Sequence, residues 1–193
     1  MGGDALSRTV CVYCASSEAV PAHYKELAEE VGREIAARGW SLVSGGGRVS
    51  MMGAVAAGAR AGGARTTGVI PRALVDREVA DSLSDELLVT DTMRERKALM
   101  EAHADAFLTL PGGIGTCEEL FEVWTAGSLG MHAKPVVLLD PDGHYTGLLT
   151  WLSELVERGF ANTRALDRLI VVADVTAALD ACGSPADVSR SEL

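Results

Sequence analysis

Short apolar runs alternate with stretches of helical periodicity along the chain, and this alternation limits the possible folds more than any other feature. The runs are rich in Val, Leu and Ile and are too short to be helices. They are Val10–Tyr13, Ser41–Ser44, Thr67–Ile70, Glu86–Val89, Ala106–Leu110, Val136–Leu139 and Leu169–Val172. Strands that alternate with helices pair in parallel, because each helix carries the chain back across the sheet.

Helix signals fill the intervals between these runs. Pro21 stands near the start of the first predicted helix and Gly39 ends it. A second helix, rich in Ala and Gly, is predicted from about Met51 to Ala61, where small residues would let it lie close to the sheet. A third begins at Thr92, where Glu95 completes a possible capping box. With further helices after Thr116, Tyr145 and Asp174, the sequence predicts an α/β fold: a Rossmann-like open parallel sheet with helices on both faces.

The length and charge of the chain limit its organisation and partners. Its 193 residues suit one domain over 1–193, with an ordered core from about 9 to 183 and frayed termini. The net charge of −10 argues against a general binder of nucleic acids or anionic membranes. No apolar run approaches a membrane span, and the first residues lack a signal-peptide core. We therefore expect a cytoplasmic protein without nucleic-acid or membrane partners.

The four cysteines do not form the pattern of a disulfide framework. Cys11 and Cys14 lie in one predicted strand, where residues three apart point to opposite faces of the sheet. Cys117 and Cys182 have no partner pattern. We expect buried, reduced thiols and no cluster of His, Cys and Asp that would hold a metal.

The segment Pro111–Glu119, with the sequence PGGIGTCEE, joins a predicted strand to a predicted helix. A glycine-rich turn there lets backbone N–H groups converge on an anion, and the helix N-terminus adds partial positive charge. The pattern predicts a phosphate site with two carboxylates in its first helical turn. The alternative is that Thr116 and Glu119 form a capping box, which would engage Glu119 with the backbone.

Four predicted strands end in segments rich in Gly, Ser or basic residues. In an open parallel sheet such ends lie at one edge, so we expect one shared pocket there. The segments are Ala15-Ser16-Ser17, Gly45-Gly46-Gly47, Pro71-Arg72 and the Pro111 segment. No G-x-G-x-x-G follows the first strand and no P-loop motif is present, so neither a standard NAD site nor P-loop ATP hydrolysis is expected.

A basic run opens the third predicted helix. Met93, Lys97 and Met100 fall on or near one face of it, with Arg96 adjacent. Such a run is most often a solvated charged face. The alternative is that the helix delivers a cation to the rim of the pocket.

Taken together, these motifs resemble the LOG (Lonely Guy) family, the cytokinin riboside 5′-monophosphate phosphoribohydrolases. The resemblance extends from Cys11 to about Ala173, with departures at Ala15 and Ser44. It rests on Ser16-Ser17, Gly45-Gly46-Gly47, Met52-Gly53, Gly68-Val69-Ile70-Pro71, Arg96-Lys97 and Pro111–Glu119.

The resemblance implies hydrolysis of the N-glycosidic bond of a nucleoside 5′-monophosphate, releasing free base and ribose 5-phosphate, without a cofactor. It implies that Arg96 and Glu119 are the essential catalytic pair and that the protein is a homodimer. It also implies a set of substrate-binding residues: Glu78, Lys97, Gly112, Gly113, Ile114, Gly115, Thr116, Cys117, Glu118 and Thr125.

The residue types fit this chemistry independently. Breaking a ribosyl C–N bond develops oxocarbenium-like positive charge, which a carboxylate such as Glu119 can stabilise while it orients water. Arg96 can hold the phosphate or ribose hydroxyls and fix the direction of the carboxylate. The sequence does not identify the group that protonates the leaving base. Candidates for its apolar pocket are Met51, Met52, Met93 and Trp124.

Two other functions are alternatives to this hydrolysis. Older labels call such chains lysine decarboxylases, but that chemistry needs a pyridoxal phosphate Schiff base. Of the three lysines, Lys25, Lys97 and Lys134, only Lys97 is expected near the pocket. The second alternative is a non-catalytic carrier of a nucleotide or of the molybdenum cofactor, which would need the glycine cradle but not both Arg96 and Glu119.

Overall fold

The central strand of the sheet, β1 (Thr9–Tyr13), has a hydrophobic core on each side. Its side chains alternate, so Val10 and Val12 join one core while Cys11 and Tyr13 join the other. A strand that is apolar on both faces requires helices on both sides. The computed structural model describes residues 8–78 and 80–184, except for the side chains of 76–78. The termini that the sequence predicts to be frayed, residues 1–7 and 185–193, lie outside this range.

The described residues form one parallel sheet of seven strands in the order β4-β3-β2-β1-β5-β6-β7. The remaining strands are β2 (Ser41–Ser44), β3 (Thr66–Pro71), β4 (Glu86–Thr90), β5 (Ala106–Thr109), β6 (Val136–Leu139) and β7 (Leu169–Val172). The predicted fold class is confirmed, and each predicted strand is present with bounds that agree to within one residue.

Helices cover the two faces of the sheet in separate groups. One face carries α1 (Ala22–Ala37), α2 (Ser50–Ala61) and α8 (Val175–Gly183). The other carries α4 (Met93–His103), α5 (Ile114–Ser128), α6 (Thr146–Glu157) and α7 (Thr163–Leu166). The sequence did not predict α7 or α3 (Arg72–Glu78), which are short and lack long apolar periodicity. Within the described residues, no helix combines the length and hydrophobicity needed to cross a membrane.

The order of strands reverses beside β1. The chain adds β2, β3 and β4 on one side of β1 and then places β5 on its other side, with Val10 paired to Ala106 and Tyr13 to Thr109. The two helices that leave this point pass to opposite faces of the sheet, which opens a crevice beyond the carboxyl ends of β1 and β5. The fold therefore places any ligand site at this position.

Glycines let α1 and α2 touch backbone to backbone. A Cβ on Gly32 would lie 2.2 Å from the carbonyl oxygen of Val55, and one on Gly58 would lie 2.2 Å from that of Glu29. The sequence predicted that small residues of α2 serve close packing on the sheet. Ala56 and Ala59 do lie in that core, whereas Gly58 serves the contact between the helices.

The cysteines are free thiols within the described residues, as predicted. Cys11 and Cys14 are buried in the cores on opposite faces of the sheet. Burial raises the pKa of both thiols well above the usual range. Cys182 is also buried, and Cys117 is partly buried. The C-x-x-C spacing is thus a consequence of strand packing rather than a redox or metal motif.

Candidate functional site

A cavity of about 310 Å³ opens at the carboxyl ends of β1 and β5. Its walls come from five segments: the end of β1 and the following turn, the triple-glycine turn after β2, the start of α2, α4, and the first turns of α5. The lining residues are Val12, Tyr13, Cys14, Ala15, Ser16, Ser17, Gly45, Met52, Met93, Arg96, Met100, Gly113, Ile114, Gly115, Thr116, Glu118 and Glu119.

The N-terminus of α5 forms one end of this cavity. Gly113 is its N-cap, with no side-chain cap, and the first helical hydrogen bond runs from the Cys117 N–H to the Gly113 carbonyl at 3.0 Å. The N–H groups of Ile114, Gly115 and Thr116 therefore precede the helical ladder. All three residues line the cavity. Such a helix end attracts an anion through these N–H groups and through the helix dipole.

The alternative prediction of a Thr116–Glu119 capping box is wrong. Because α5 starts at Ile114, Thr116 is its third residue rather than its N-cap. Glu119 then falls in the second turn, where it lines the cavity with its side chain 12% exposed. The other predicted capping box, Thr92 with Glu95, is present at the start of α4.

The glycines of the PGGIGT segment have two different roles. A Cβ on Gly112 would lie 2.1 Å from the Thr116 hydroxyl, so Gly112 allows the turn to fold tightly against α5. A Cβ on Gly113 or Gly115 would meet no protein atom within 4 Å. Both of these glycines line the cavity, so a ligand can approach their backbone N–H groups directly.

The turn before α5 is also supported from the side of β6. Tyr145 donates its hydroxyl proton to the carbonyl of Leu110 at 2.9 Å, and burial raises the pKa of this phenol, which keeps it a donor. His144 Nε2 lies 2.9 Å from the carbonyl oxygen of Gly112. The sequence analysis missed these contacts because nothing in the local pattern links this loop to residues more than 30 positions earlier.

Arg96 is a buried cation held in a fixed orientation. Its Nε donates to the Val69 carbonyl and its Nη2 to the Gly45 carbonyl, both at 3.0 Å. Nη1 lies 3.7 Å from Oε1 of Glu119. The Arg96 and Glu119 side chains are 7% and 12% exposed, so water screens this ion pair weakly. Arg96 thus fixes the carboxylate of Glu119 at the cavity wall.

The triple-glycine turn, whose Gly45 carbonyl accepts from Arg96, is also hydrogen-bonded to a loop after α3. The Asp81 N–H donates to the Gly46 carbonyl at 2.8 Å. The Asp81 carboxylate is buried and pairs with Nη1 of Arg60 at 2.6 Å. The sequence analysis missed this pair, since Arg60 lies in the Ala- and Gly-rich α2 and no spacing relates it to Asp81.

Lys97 lies beside the cavity rather than in its lining. Its ε-ammonium hydrogen-bonds the carboxylate of Glu118 and lies 2.8 Å from Oε2 of Glu122. These carboxylates raise the pKa of Lys97 and keep it protonated. Glu118 does line the cavity. No group of three His, Cys, Asp or Glu side chains in the described part of the chain has the arrangement of a metal site.

The other predicted site residues are divided between the cavity and its surroundings. Gly112 lies behind the cavity and Cys117 packs against the core under α5. Thr125 is exposed and lies nine residues beyond Thr116, about 13 Å along the helix. Glu78 ends α3, and its side chain is outside the described residues.

The shared pocket predicted from strand ends includes three of the four segments. Ser16, Ser17, Gly45 and the PGGIGT segment line it, whereas Pro71 and Arg72 do not. Of the candidates for a base pocket, Met52 and Met93 line the cavity. Met51 and Trp124 lie in the two cores instead.

Comparisons with known proteins find relatives that match most of the chain. A family model described as "Possible lysine decarboxylase" matches residues 52–182. The cytokinin riboside 5′-monophosphate phosphoribohydrolase of Mycobacterium tuberculosis is 57% identical over 176 residues, covering 90% of this chain and 92% of the relative. The enzyme of that name designated LOG4 in Arabidopsis thaliana is 43% identical over 168 residues, covering 87% and 77%.

Solved structures with a similar fold are more distant in sequence. The molybdenum cofactor binding protein of Rippkaea orientalis has a TM-score of 0.69 at 21% identity, covering 90% of this chain and 94% of the other. The molybdenum cofactor carrier protein of Chlamydomonas reinhardtii has a TM-score of 0.69 at 24% identity, covering 91% and 95%. At these identities the likeness shows the fold alone.

Gly45→Ala tests whether the guanidinium of Arg96 packs as closely against Gly45 as the geometry indicates. The new Cβ would lie 2.0 Å from Nη2 of Arg96, so the guanidinium must leave its carbonyl partners. We expect the free energy of unfolding to fall by about 1–3 kcal/mol, measured by denaturant titration. Gly115→Ala is the control, because it lines the same cavity but its Cβ meets nothing within 4 Å. Equal stability of Gly45→Ala and wild type would contradict the arrangement.

Proposed function

Because the chain belongs to the family of the cytokinin riboside 5′-monophosphate phosphoribohydrolases, we propose that it hydrolyses the N-glycosidic bond of these nucleotides and of AMP. The products are the free base and ribose 5-phosphate. One observation carries the proposal beyond the relatives' names: a carboxylate, Glu119, is oriented by a buried arginine in the same cavity as an uncapped helix N-terminus.

The two ends of the substrate require different surroundings. The 5′-phosphate binds the N-terminus of α5, where the N–H groups of Ile114, Gly115 and Thr116 precede the helical ladder. Glu119 lies three residues beyond Thr116 on the same helix and lines the same cavity, so we assign it to the ribose. Gly112 and Cys117 support this binding through the shape of the turn, while Gly113 and Glu118 line the cavity directly.

Catalysis follows from the charge that develops on the sugar. As the C–N bond lengthens, the ribose takes on oxocarbenium character, and the carboxylate of Glu119 stabilises it and orients the attacking water. Arg96 directs that carboxylate, and its own position is fixed by the carbonyls of Val69 and Gly45. Because these groups are in place before the substrate binds, no reorganisation is required at the transition state.

Lys97 contributes to substrate binding through Glu118. A carboxylate near a phosphate site repels the ligand unless it is neutralised, and the Lys97 ammonium bridges Glu118 and Glu122. The proposed contact of Lys97 with substrate therefore requires that the ammonium exchange one of these carboxylates for the ligand. Glu78 remains a proposed ligand contact on the resemblance alone.

A lysine decarboxylase activity, which the family model's description offers as possible, does not fit these residues. Pyridoxal phosphate chemistry needs a lysine amine that loses its proton to form a Schiff base. Lys97 is held protonated by Glu118. Lys25 pairs with Glu18 at 3.1 Å and Lys134 donates to the Glu101 carbonyl at 2.7 Å, and neither lines the cavity.

A carrier function like that named for the fold neighbours is the second candidate. A carrier needs the anion-binding helix N-terminus, which this chain has. It does not need an ionised carboxylate held beside that anion, since such a group weakens binding of the cargo. The ion pair of Arg96 with Glu119 therefore favours the hydrolase.

We also propose a homodimer with α4 and α5 near the interface. The apolar side chains of α5 do not supply a surface for it, because Leu120, Val123 and Trp124 are all buried in the chain's own core. Support comes instead from Thr125, which is exposed, does not line the cavity of its own chain, and lies six residues beyond Glu119 on α5. Exposed apolar side chains lie at the ends of these helices: Met93, Ile114, Leu129 and Met131.

A requirement for the 5′-phosphate is the first test of the proposed activity. We expect kcat/KM for AMP to exceed that for adenosine by at least about 10²-fold, because the nucleoside lacks the anion that binds the α5 N-terminus. Release of free adenine is measured by chromatography, with isopentenyladenosine monophosphate assayed in parallel. Similar kcat/KM values for AMP and adenosine would refute the phosphate site.

Glu119→Gln separates catalysis from binding. We expect kcat to fall on the order of 10²-fold or more while AMP still binds, since removal of the negative charge chiefly affects the oxocarbenium-like transition state. Kinetics and calorimetric titration with AMP measure the two effects. Glu154→Gln, an exposed change on α6, is the control and should retain full activity. Normal turnover by a folded Glu119→Gln protein would show that the carboxylate has no catalytic role.

Light scattering at micromolar concentration tests the dimer. We expect a mass about twice the chain mass of 20.2 kDa. Thr125→Arg, which places a long cation on the exposed face of α5, should reduce both the mass and the activity. A monomeric wild-type protein with full activity would rule out the dimer as the working unit.

A further inference from the structure

Ser50 has a backbone conformation that side chains avoid. Its φ is +51°, and it is the single non-glycine residue with positive φ among residues 8–78 and 80–184. It is the first residue of α2 and lies three residues after Gly47, the last glycine of the triple-glycine turn. A Cβ in this region crowds the backbone, so the conformation persists only where the surrounding structure holds it.

A short hydrogen bond accounts for this conformation. The hydroxyl of Ser50 donates to the carbonyl of Ser17 at 2.6 Å, and Ser50 is 9% exposed. The partner belongs to the turn between β1 and α1, which is 33 residues away in sequence. Positive φ at Ser50 thus directs its hydroxyl to a loop on a neighbouring strand end.

That loop forms one wall of the cavity. Ser16 and Ser17 both line it, together with the first residues of α5. The loop is attached to its surroundings at two places. The Ala15 N–H donates to the Pro111 carbonyl at 3.3 Å, and the Ser17 carbonyl accepts from Ser50. Ser16 lies between these two attachments and Ser17 carries the second one, so the positions of both serines depend on the two contacts.

We propose that Ser50 is a positioning residue for the phosphorylated substrate. By fixing the Ser17 carbonyl, it holds the Ser16–Ser17 wall beside the α5 N-terminus, where hydroxyl and N–H donors can meet one phosphate. Ser50 itself does not line the cavity and acts through Ser17. The inference rests on the proposed function in taking a sugar phosphate as the ligand of this cavity.

Two substitutions separate the hydroxyl from the backbone. Ser50→Gly and Ser50→Ala both remove the hydrogen bond, but only glycine adopts positive φ without strain. We expect both variants to raise KM for AMP, and Kd for ribose 5-phosphate, by about five- to tenfold, with kcat changed by less than about twofold. We expect Ser50→Gly to unfold at a higher temperature than Ser50→Ala. Ser153→Ala is the matched control, because Ser153 also donates to a backbone carbonyl, on α6 and away from the cavity.

The outcomes distinguish this inference from the proposed activity. An unchanged KM and Kd in Ser50→Gly would overturn the positioning role of Ser50. This holds even if Ser50→Ala is unstable, because any defect of Ser50→Ala alone would then come from backbone strain and not from the missing hydroxyl. If wild type binds ribose 5-phosphate but does not hydrolyse AMP, the proposed hydrolase activity is wrong. The Kd values of wild type and the Ser50 variants for ribose 5-phosphate then still decide the role of Ser50. If wild type binds neither AMP nor ribose 5-phosphate, both proposals fall.

Discussion

The buried guanidinium of Arg96 is the interaction on which the rest of the site depends. A charge out of contact with water is tolerated only when its hydrogen-bond donors are occupied and an opposite charge is near. Two of its partners are backbone carbonyls, of Val69 in β3 and of Gly45 after β2, and the third is the carboxylate of Glu119. Carbonyls cannot change rotamer, so the sheet itself sets the direction of the charge. The carboxylate of Glu119 takes its position from that direction.

The charges around the cavity nearly cancel, although the protein as a whole is acidic. Arg96 pairs with Glu119, and Lys97 pairs with both Glu118 and Glu122, so two cations face three carboxylates. Attraction for an anion therefore does not come from a surplus of basic side chains. It comes from the backbone N–H groups and dipole of α5, which act over the length of the first turn. This explains how a chain with a net charge of −10 can present a site for phosphate.

The sheet could be predicted almost completely from the sequence, because its five inner strands are buried on both faces and so form uninterrupted apolar runs. The first residue of α5 could not be predicted from the sequence. The Thr116-x-x-Glu119 spacing fits a capping box, and only the position of the turn against Tyr145 and Thr116 shows that the helix begins at Ile114. The same limit applies to Asp81 and Ser50. Their roles depend on contacts between segments that are distant in sequence, and local periodicity does not predict such contacts.

The pairing of β1 with β5 has a consequence for how the protein is made. Val10 pairs with Ala106, so the central strand of the sheet has one unpaired edge until more than half of the chain has been synthesised. The first four strands can pair with one another before that point, but the crevice between β1 and β5 does not yet exist. Long-range closure of this kind is slow, and an exposed strand edge can pair with another chain. Nucleotide cannot stabilise the partly synthesised chain, because the binding site for nucleotide is completed only once β5 has paired with the open edge of β1.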